Sequence, residues 1–347
     1  MILIKTNRLC DLKPYFYYAL ESYVLNHLLK ENPQESYFFL WKIKGVVVGK
    51  NQIIENEVNL DYLKKHQIPL FRRPTGGGCV YNDPQTPIFS IIAKKDKNFS
   101  FKPYLSKIVL ALQKLGLNVV FGGRNDLLLE GKKISGNAFL QNQNGMVTHG
   151  TLLYDCDFNT MINVITPNDQ KLISKGIASI RSRVTNLKKF LPQEISQKVF
   201  IQYLIQALTV TTYSLNQEEL KVIEEDALKY SLPEFISLEQ PHHTKILKKR
   251  FSWGMLEIFL DIRFGKIQNL SLIGDFFHKE DNLKYFCQFF EGIIYQIKHL
   301  EKVLDQIDIN LFILDATNDD FLNLLKEGIL EEKLNYQFFP KNPEVKS

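Results

Sequence analysis

The stretch Arg72-Arg73-Pro74-Thr75-Gly76-Gly77-Gly78-Cys79-Val80-Tyr81-Asn82-Asp83 organises the chain. Three successive glycines present backbone N–H groups with no Cβ beside them. Glycine also reaches the positive φ values that let such a run curl around a guest. A curled run of N–H groups is an anion-binding concavity, and two arginines lead into it. The pattern suits a phosphate ester or a carboxylate held against backbone. The same residues also read as a strand-joining turn beside two solvated arginines, and the stretch alone does not choose. It is neither a Walker loop, which needs Gly-Lys-Ser/Thr, nor the dinucleotide GxGxxG.

Upstream, Asp11–Lys30 reads as a helix, with Pro14 suited to its first turn. Phe16, Leu20, Tyr23, Val24, His27 and Leu28 form one apolar stripe, on which His27 reads as a core histidine. Tyr37–Trp41 and Val46–Val48 have strand composition, and Lys44-Gly45 between them reads as a hairpin turn. Trp41 is either core or the wall of an apolar pocket. A short helix, Asn59–Lys65, precedes a strand, Ile68–Phe71, that delivers the arginines and glycines. Ile88–Ala93 is a further strand, Ser100–Gly116 a helix ending on a C′ glycine, and Val119–Phe121 a strand.

The second informative stretch runs Gly122-Gly123-Arg124-Asn125-Asp126-Leu127 and on to Lys133-Ile134-Ser135-Gly136. It reads as strands Leu127–Leu129 and Lys133–Ala138 joined by a turn at Glu130-Gly131. Alternation then puts Lys133 and Ser135 on one face. A lysine and a hydroxyl there suit an anionic ligand, and equally a solvated outer face. A third strand, Val147–Tyr154, carries His149. In Ser174–Asn186, Lys175, Arg181 and Arg183 sit among small residues, as in a mobile basic loop near phosphate or a plain exposed loop. Gln193–Thr209 reads as an amphipathic helix on Ile195, Val199, Tyr203 and Leu208.

Composition shifts at Tyr230–Arg250, with two prolines, His242-His243 and a basic run; this reads as a linker. It separates a domain over 1–240 from a smaller one over 250–347. The second begins with an alternating strand, Met255–Arg263, turned at Gly265 into Ile267–Ile273. A long helix over Asp281–Ile307 follows, on Phe286, Phe290, Ile293, Ile297, Leu300 and Leu304. Phe321–Leu334 is a terminal helix.

Composition narrows the class. With 45% hydrophobic and 23% charged residues in 347, the chain is globular rather than disordered. A net charge of +5 without a dense basic stripe argues against nucleic acid. Cys10, Cys79, Cys156 and Cys287 are far apart with no CxxC pair, so neither zinc nor a disulfide framework is expected. Met1–Lys5 lacks the charged leader and apolar core of a secretory signal. No apolar run nears the roughly 20 residues of a membrane span. The expectation is a cytoplasmic protein with reduced thiols, no membrane and no nucleic-acid partner.

Taken together the motifs resemble the lipoate–protein ligase A family, of the biotin/lipoyl protein ligase superfamily. The matching pieces are Arg72-Arg73-x-x-Gly76-Gly77-Gly78-x-Val80-Tyr81-x-Asp83, Gly123-Arg124-Asn125-Asp126-Leu127, Lys133-Ile134-Ser135-Gly136 and His149-Gly150-Thr151-Leu152-Leu153. The fifth is Lys175-Gly176-Ile177-x-Ser179-x-Arg181-Ser182-Arg183-Val184-Thr185-Asn186. Phe251-x-Trp253-Gly254 resembles the start of the family's accessory domain. Five linked motifs over nearly the whole chain are far more specific than any one.

The resemblance implies an α+β (mixed α/β) fold: a biotin/lipoyl-ligase-like catalytic domain with a smaller C-terminal α/β accessory domain. It implies two steps. Lipoate and Mg-ATP give lipoyl-adenylate and pyrophosphate, and a carrier-protein lysine then takes the lipoyl group as an amide. Lys133 and Asp126 are the implied catalytic residues, with Asp126 near Mg²⁺. Arg73, Gly76, Gly77, Gly78, Cys79, Val80, Tyr81, Asn125, Lys133, Lys175, Arg181 and Arg183 are the implied ATP and adenylate site. Trp41, Arg73, Gly78, Lys133, Ser135 and His149 are the implied lipoate site. Arg73 would clamp phosphate, and the Lys175–Arg183 segment would cover the adenylate. The implied partners are lipoyl-carrier proteins, the glycine-cleavage H protein or dehydrogenase E2 lipoyl domains, met by a monomer.

The chain departs from the family's usual pattern at Asn82 and Thr148, where histidines are usual, and at Cys79, where a small residue is. Asn82 can hydrogen-bond but cannot titrate. Cys79 and Cys156 motivate a competing reading, a cysteine-dependent octanoyl or lipoyl transferase that needs no ATP. A third is a non-catalytic carrier-protein binder.

Overall fold

Among the described residues, eleven strands fall within 2–214: β1 (Ile2–Lys5), β2 (Ser36–Trp41), β3 (Gly45–Val48), β4 (Leu70–Arg72), β5 (Val80–Asn82), β6 (Ile88–Ala93), β7 (Val119–Gly122), β8 (Asp126–Leu129), β9 (Lys132–Gln141), β10 (Met146–Thr151) and β11 (Thr211–Ser214). The computed structural model describes residues 1–6, 13–95, 102–123, 125–165, 183–279 and 282–338. Eight strands form one sheet in the order β11-β1-β2-β6-β10-β9-β8-β7, and three form another, β4-β3-β5. Both sheets are mixed: β1 runs parallel to β2 and β11, β3 parallel to β4, and the other pairs are antiparallel.

Residues 37–41 of β2 are all buried, the unbroken apolar run of a strand covered on both faces. Phe16, Tyr17, Leu20 and Val24 pack on Phe39 and Trp41 in one core cluster. The β8–β9 turn has φ 50° at Glu130 and 74° at Gly131, the positive pair that matches strand twist in a two-residue hairpin.

The chain divides into two compact units, Met1–Leu238 and Glu239–Ser347. The second holds a three-stranded antiparallel sheet, β12 (Lys245–Phe251), β13 (Gly254–Arg263) and β14 (Lys266–Gly274). Its core gathers Leu256, Ile258 and Leu260 with Phe286, Phe290 and Leu300.

Several expectations are corrected. The residues of β2 and β3 are no hairpin: the strands belong to different sheets, because β3 pairs with β4 and β5. The first helix covers Tyr15–Glu31 but widens to a π-turn over Val24–Leu28. That turn holds more residues, so Leu28 and Leu29 face inward while His27 is exposed and stacks on Tyr23 at 4.6 Å. In the helix Gln197–Leu208 the buried face is Phe200, Leu204 and Leu208, whereas Val199 lies outside. The long helix over 281–307 is two, Leu283–Gln288 and Ile297–Leu304. Gly292, at φ 77°, breaks it by donating its N–H to the Ile267 carbonyl.

The linker is also shorter than 230–250. Tyr230 is buried in the first unit's core, and the basic run is strand β12. Those cations face acids: Lys248 pairs with Glu257 on the neighbouring strand, and Arg250 with Asp275 at 3.0 Å. Charged side chains on a sheet edge discourage pairing with other chains.

Candidate active site

The two arginines are not solvated. Arg72 Nη1 donates to the carbonyls of Gly49 at 2.6 Å and Gln52 at 2.8 Å, and its Nε to Ile236 at 2.7 Å. Arg73 Nη2 donates to the carbonyls of Gly76 at 2.7 Å and Gly78 at 2.8 Å, and its Nε to Thr75 Oγ1 at 2.9 Å. Burial pulls both guanidiniums below their usual range, Arg72 to about 10. Arg73 therefore clamps the carbonyls of the glycine run rather than standing ready for phosphate alone. Among the described residues, no protein acceptor meets the N–H groups of Gly76, Gly77 or Gly78. Gly77 sits at φ 89°, and a Cβ on Gly49 would meet its carbonyl oxygen at 2.0 Å, so both positions require glycine.

A buried hydrogen-bond network ties the loop to the aromatic wall. Arg73 Nε donates to Thr75 Oγ1, which lies 3.1 Å from His149 Nε2. His149 Nδ1 is 2.9 Å from Glu21 Oε1, which also accepts the Ser90 hydroxyl at 2.5 Å. Trp41 Nε1 donates to Ser90 Oγ at 2.9 Å. With Nδ1 donating to the carboxylate, Nε2 accepts from the Thr75 hydroxyl.

Two cavities open from this frame. The narrow one, about 110 Å³, is walled by Tyr18, Trp41, Val47, Val80, Ile88 and His149 among others. The larger, about 520 Å³, has apolar walls at Leu128, Met161, Ile165 and Val184 and is also lined by Gly122 and Gly123. Lys133 lines both. Its Nζ pairs with Asp126 Oδ1 at 2.8 Å. Asn125 and Asn137 clasp each other's backbone beside it: Asn125 Nδ2 donates to the Asn137 carbonyl at 2.5 Å and Asn137 Nδ2 to the Asn125 carbonyl at 2.8 Å.

The expected residues therefore fall in three groups. Trp41, Arg73, Gly77, Gly78, Cys79, Val80, Asn125, Lys133 and His149 line the narrow cavity; Cys79, Val80, Tyr81, Asp126, Lys133 and Arg183 line the larger. Gly76 holds the loop through its carbonyl. Ser135 is a correction. The β8–β9 register shifts between Leu127 and Leu128, pairing Leu127 with Ser135 and Leu128 with Lys133. This bulge breaks the alternation. Ser135 is fully buried and bonds Asn137 Oδ1 at 3.3 Å, while Lys133 lies over Gly136. Lys175 and Arg181, and with them the expected cover, lie outside the described residues.

The sequence reading missed Glu21 and Asn137. Glu21 carried a signal, an acid in register with the apolar residues Tyr17 and Val24. Asp83 is turn-forming: its carboxylate takes the Gln85 N–H, the Thr86 hydroxyl and the Asp157 N–H. Cys79 lines both cavities, and burial pushes its thiol up to about 12, aided by the Glu57 carboxylate. Burial also raises the Cys156 thiol, which packs beside Met161 and Val164. Among the described residues no three His, Cys, Asp or Glu side chains cluster as a metal cage. A single carboxylate already paired with lysine is not a resident metal centre; it suits a hydrated magnesium ion carried on phosphate.

Residues 13–209 match the family described as the lipoyl protein ligase A/B catalytic domain, and residues 240–325 match the bacterial lipoate protein ligase C-terminus. The lipoate–protein ligase 1 of Staphylococcus aureus is 34% identical over 334 residues, covering 94% of this chain and 100% of that one. The chain belongs to the lipoate–protein ligase family. It is an enzyme of the ligase class with an α+β fold. The fold is shared with P. falciparum LipL1, solved in complex with lipoate, at a TM-score of 0.75 and 21% identity, over 95% of this chain and 99% of that one. A bipartite lipoate–protein ligase from Thermoplasma acidophilum, studied with its E2 lipoyl domain, is 25% identical with a TM-score of 0.59, over 69% of this chain and 98% of that one. Among the described residues, no helix is long and apolar enough to cross a membrane.

Proposed function

We propose that this ligase activates lipoate with ATP to lipoyl-adenylate and pyrophosphate, then passes the lipoyl group to a specific lysine of a carrier protein. The observation that carries the reading is Lys133, whose ammonium faces both cavities at their junction. The narrow cavity takes the lipoyl chain and the larger one the nucleotide. Joining them brings a carboxylate against the α-phosphate, where two unit charges about 4 Å apart repel by roughly 4 kcal/mol at an effective dielectric near 20. A compact ammonium that contacts both oxygens offsets that repulsion. The N–H groups of Gly76–Gly78 add fixed dipoles that need no reorganisation as charge develops. Asp126 holds the ammonium and stands where a magnesium ion on the phosphates would be met.

In the second step the mixed anhydride is already activated, so positioning supplies much of the rate. The acceptor lysine, with an ordinary pKa of about 10.4, must first shed a proton. The proposed acceptors are the glycine-cleavage H protein or dehydrogenase E2 lipoyl domains, the latter in line with the Thermoplasma relative. The protein is proposed to work in the cytoplasm as a monomer. The cysteine-transferase reading is not favoured: the Staphylococcus relative is a ligase along its whole length, and the Cys156 thiol is buried.

Exchange of labelled pyrophosphate into ATP tests the reading. It should require lipoate and proceed without any carrier protein. A transferase or a binder would exchange none.

A further inference from the structure

We propose that Asn82 positions the transfer step, its carboxamide donating from Nδ2 to the acyl carbonyl oxygen and accepting at Oδ1 an N–H of the incoming amine. The inference rests on the ligase reading above. Asn82 is fully buried and lines the narrow cavity. Among the described residues, neither Nδ2 nor Oδ1 has a hydrogen-bond partner. A buried amide with both ends unmet is costly in a native protein, and a bound ligand that meets both removes the cost.

Strand alternation aims it. In β5, Asn82 lines the narrow cavity and its neighbour Tyr81 the larger one, with Val80 lining both. Asn82 and Lys133 line the same narrow cavity, and the pairing of neighbouring strands connects them. A tight turn, with Thr86 N–H donating to the Asp83 carbonyl at 2.9 Å, joins Asn82 to β6. There Ile88 lies opposite Thr151, whose Oγ1 accepts the Gly136 N–H at 3.3 Å. Lys133 Nζ lies over Gly136, 3.0 Å from where a Cβ would stand.

The ligand chemistry narrows the role. An amide offers one acceptor and two donor hydrogens. Carboxylate, phosphate and dithiolane atoms only accept. With the nucleotide's ribose and adenine donors assigned to the larger cavity, the attacking amine is the donor that reaches Oδ1, so both ends are met together when amine and acyl carbonyl are side by side. In that step the amine nitrogen bonds to the acyl carbon. The carbon–oxygen bond to the phosphate breaks, and AMP leaves with its electron pair. The amine's protons pass to water, because Asn82 cannot accept one.

The test separates the half-reactions in single turnovers, using lipoate, ATP and a lipoyl domain as carrier. Asn82→Leu, at saturating lipoate and ATP, should slow lipoyl-adenylate formation far less than it slows transfer. It should transfer the lipoyl group about tenfold or more slowly at saturating carrier, as expected for loss of a transition-state hydrogen bond. Asn82→His should keep part of the transfer rate and add a pH dependence near 6.5 to that step alone. Transfer by Asn82→Leu at the parent rate would overturn the proposal. So would equal loss in both half-reactions with a lowered melting temperature. If Asn82→Leu does not fold, the histidine variant decides: no new pH dependence in transfer refutes the role. A parent protein that forms no adenylate would instead refute the ligase reading, and this inference with it.

Discussion

Lys133 Nζ lies 2.8 Å from Asp126 Oδ1, across the β8–β9 hairpin, and the pair stands at the boundary of the two cavities. The carboxylate holds the ammonium in place before any substrate arrives. Such preorganisation is what makes a charge effective in a transition state.

Lys133→Ala should therefore lose lipoyl-adenylate formation while keeping the fold. Removing a preorganised charge contact costs on the order of 3 kcal/mol, about a hundredfold in rate. Pyrophosphate release by the folded variant measures it, and a near-normal rate would sink the assignment. Asp126→Asn should give a smaller loss, because the ammonium stays but is less firmly held.

Arg73→Lys keeps a positive charge but loses the fork that grips Gly76, Gly78 and Thr75. If Arg73 acts by shaping the loop, lysine cannot replace it, and adenylation should fall about as far as in Arg73→Ala. Rescue by lysine would mean the charge itself is what ATP meets.

Glu21 is buried and serves His149 and Ser90 together. Glu21→Leu leaves two buried polar partners unmet, each at about 1–3 kcal/mol. Denaturant unfolding should show a loss of about 2–4 kcal/mol. Glu21→Gln still accepts hydrogen bonds and should lose clearly less. Equal losses would show that the network contributes nothing beyond side-chain volume.

Cys79→Ala and Cys156→Ala should still lipoylate a carrier from lipoate and ATP. The Cys79 thiol, ordinarily at 9.0, is raised to about 12 by burial, so at pH 8–9 it should alkylate more slowly in the folded protein than after unfolding. The sign for stability follows. The thiol form is favoured in the folded state, so its contribution is complete below pH 9 and is lost as pH rises toward about 12. An acyl-thioester on either cysteine, seen by intact mass and abolished with activity in its variant, would revive the transferase reading.

Gly49→Ala should distort the glycine loop, since its Cβ would come within 2.0 Å of the Gly77 carbonyl oxygen. Overpacking of this kind costs typically 1–3 kcal/mol. A melting-temperature scan and pyrophosphate exchange should both fall. An unchanged exchange rate would show the loop tolerates the shift.

What the sequence determined by itself is local. The run Gly76–Gly78, the turn at Glu130-Gly131 and the strands carrying Lys133 and His149 follow from backbone freedom and periodicity, which neighbouring residues settle. Five motifs in order were enough to recognise the family. The tertiary structure decided which distant groups meet and which face a side chain takes. His149 and Glu21 are 128 residues apart, and only the packing of the first helix on the large sheet brings them to 2.9 Å. The bulge in β9 turned Ser135 away from Lys133, since one extra residue inverts strict alternation. The arginines left solvent because unpaired carbonyls of the glycine run and of residues 49–52 needed buried donors, a demand that no local pattern records.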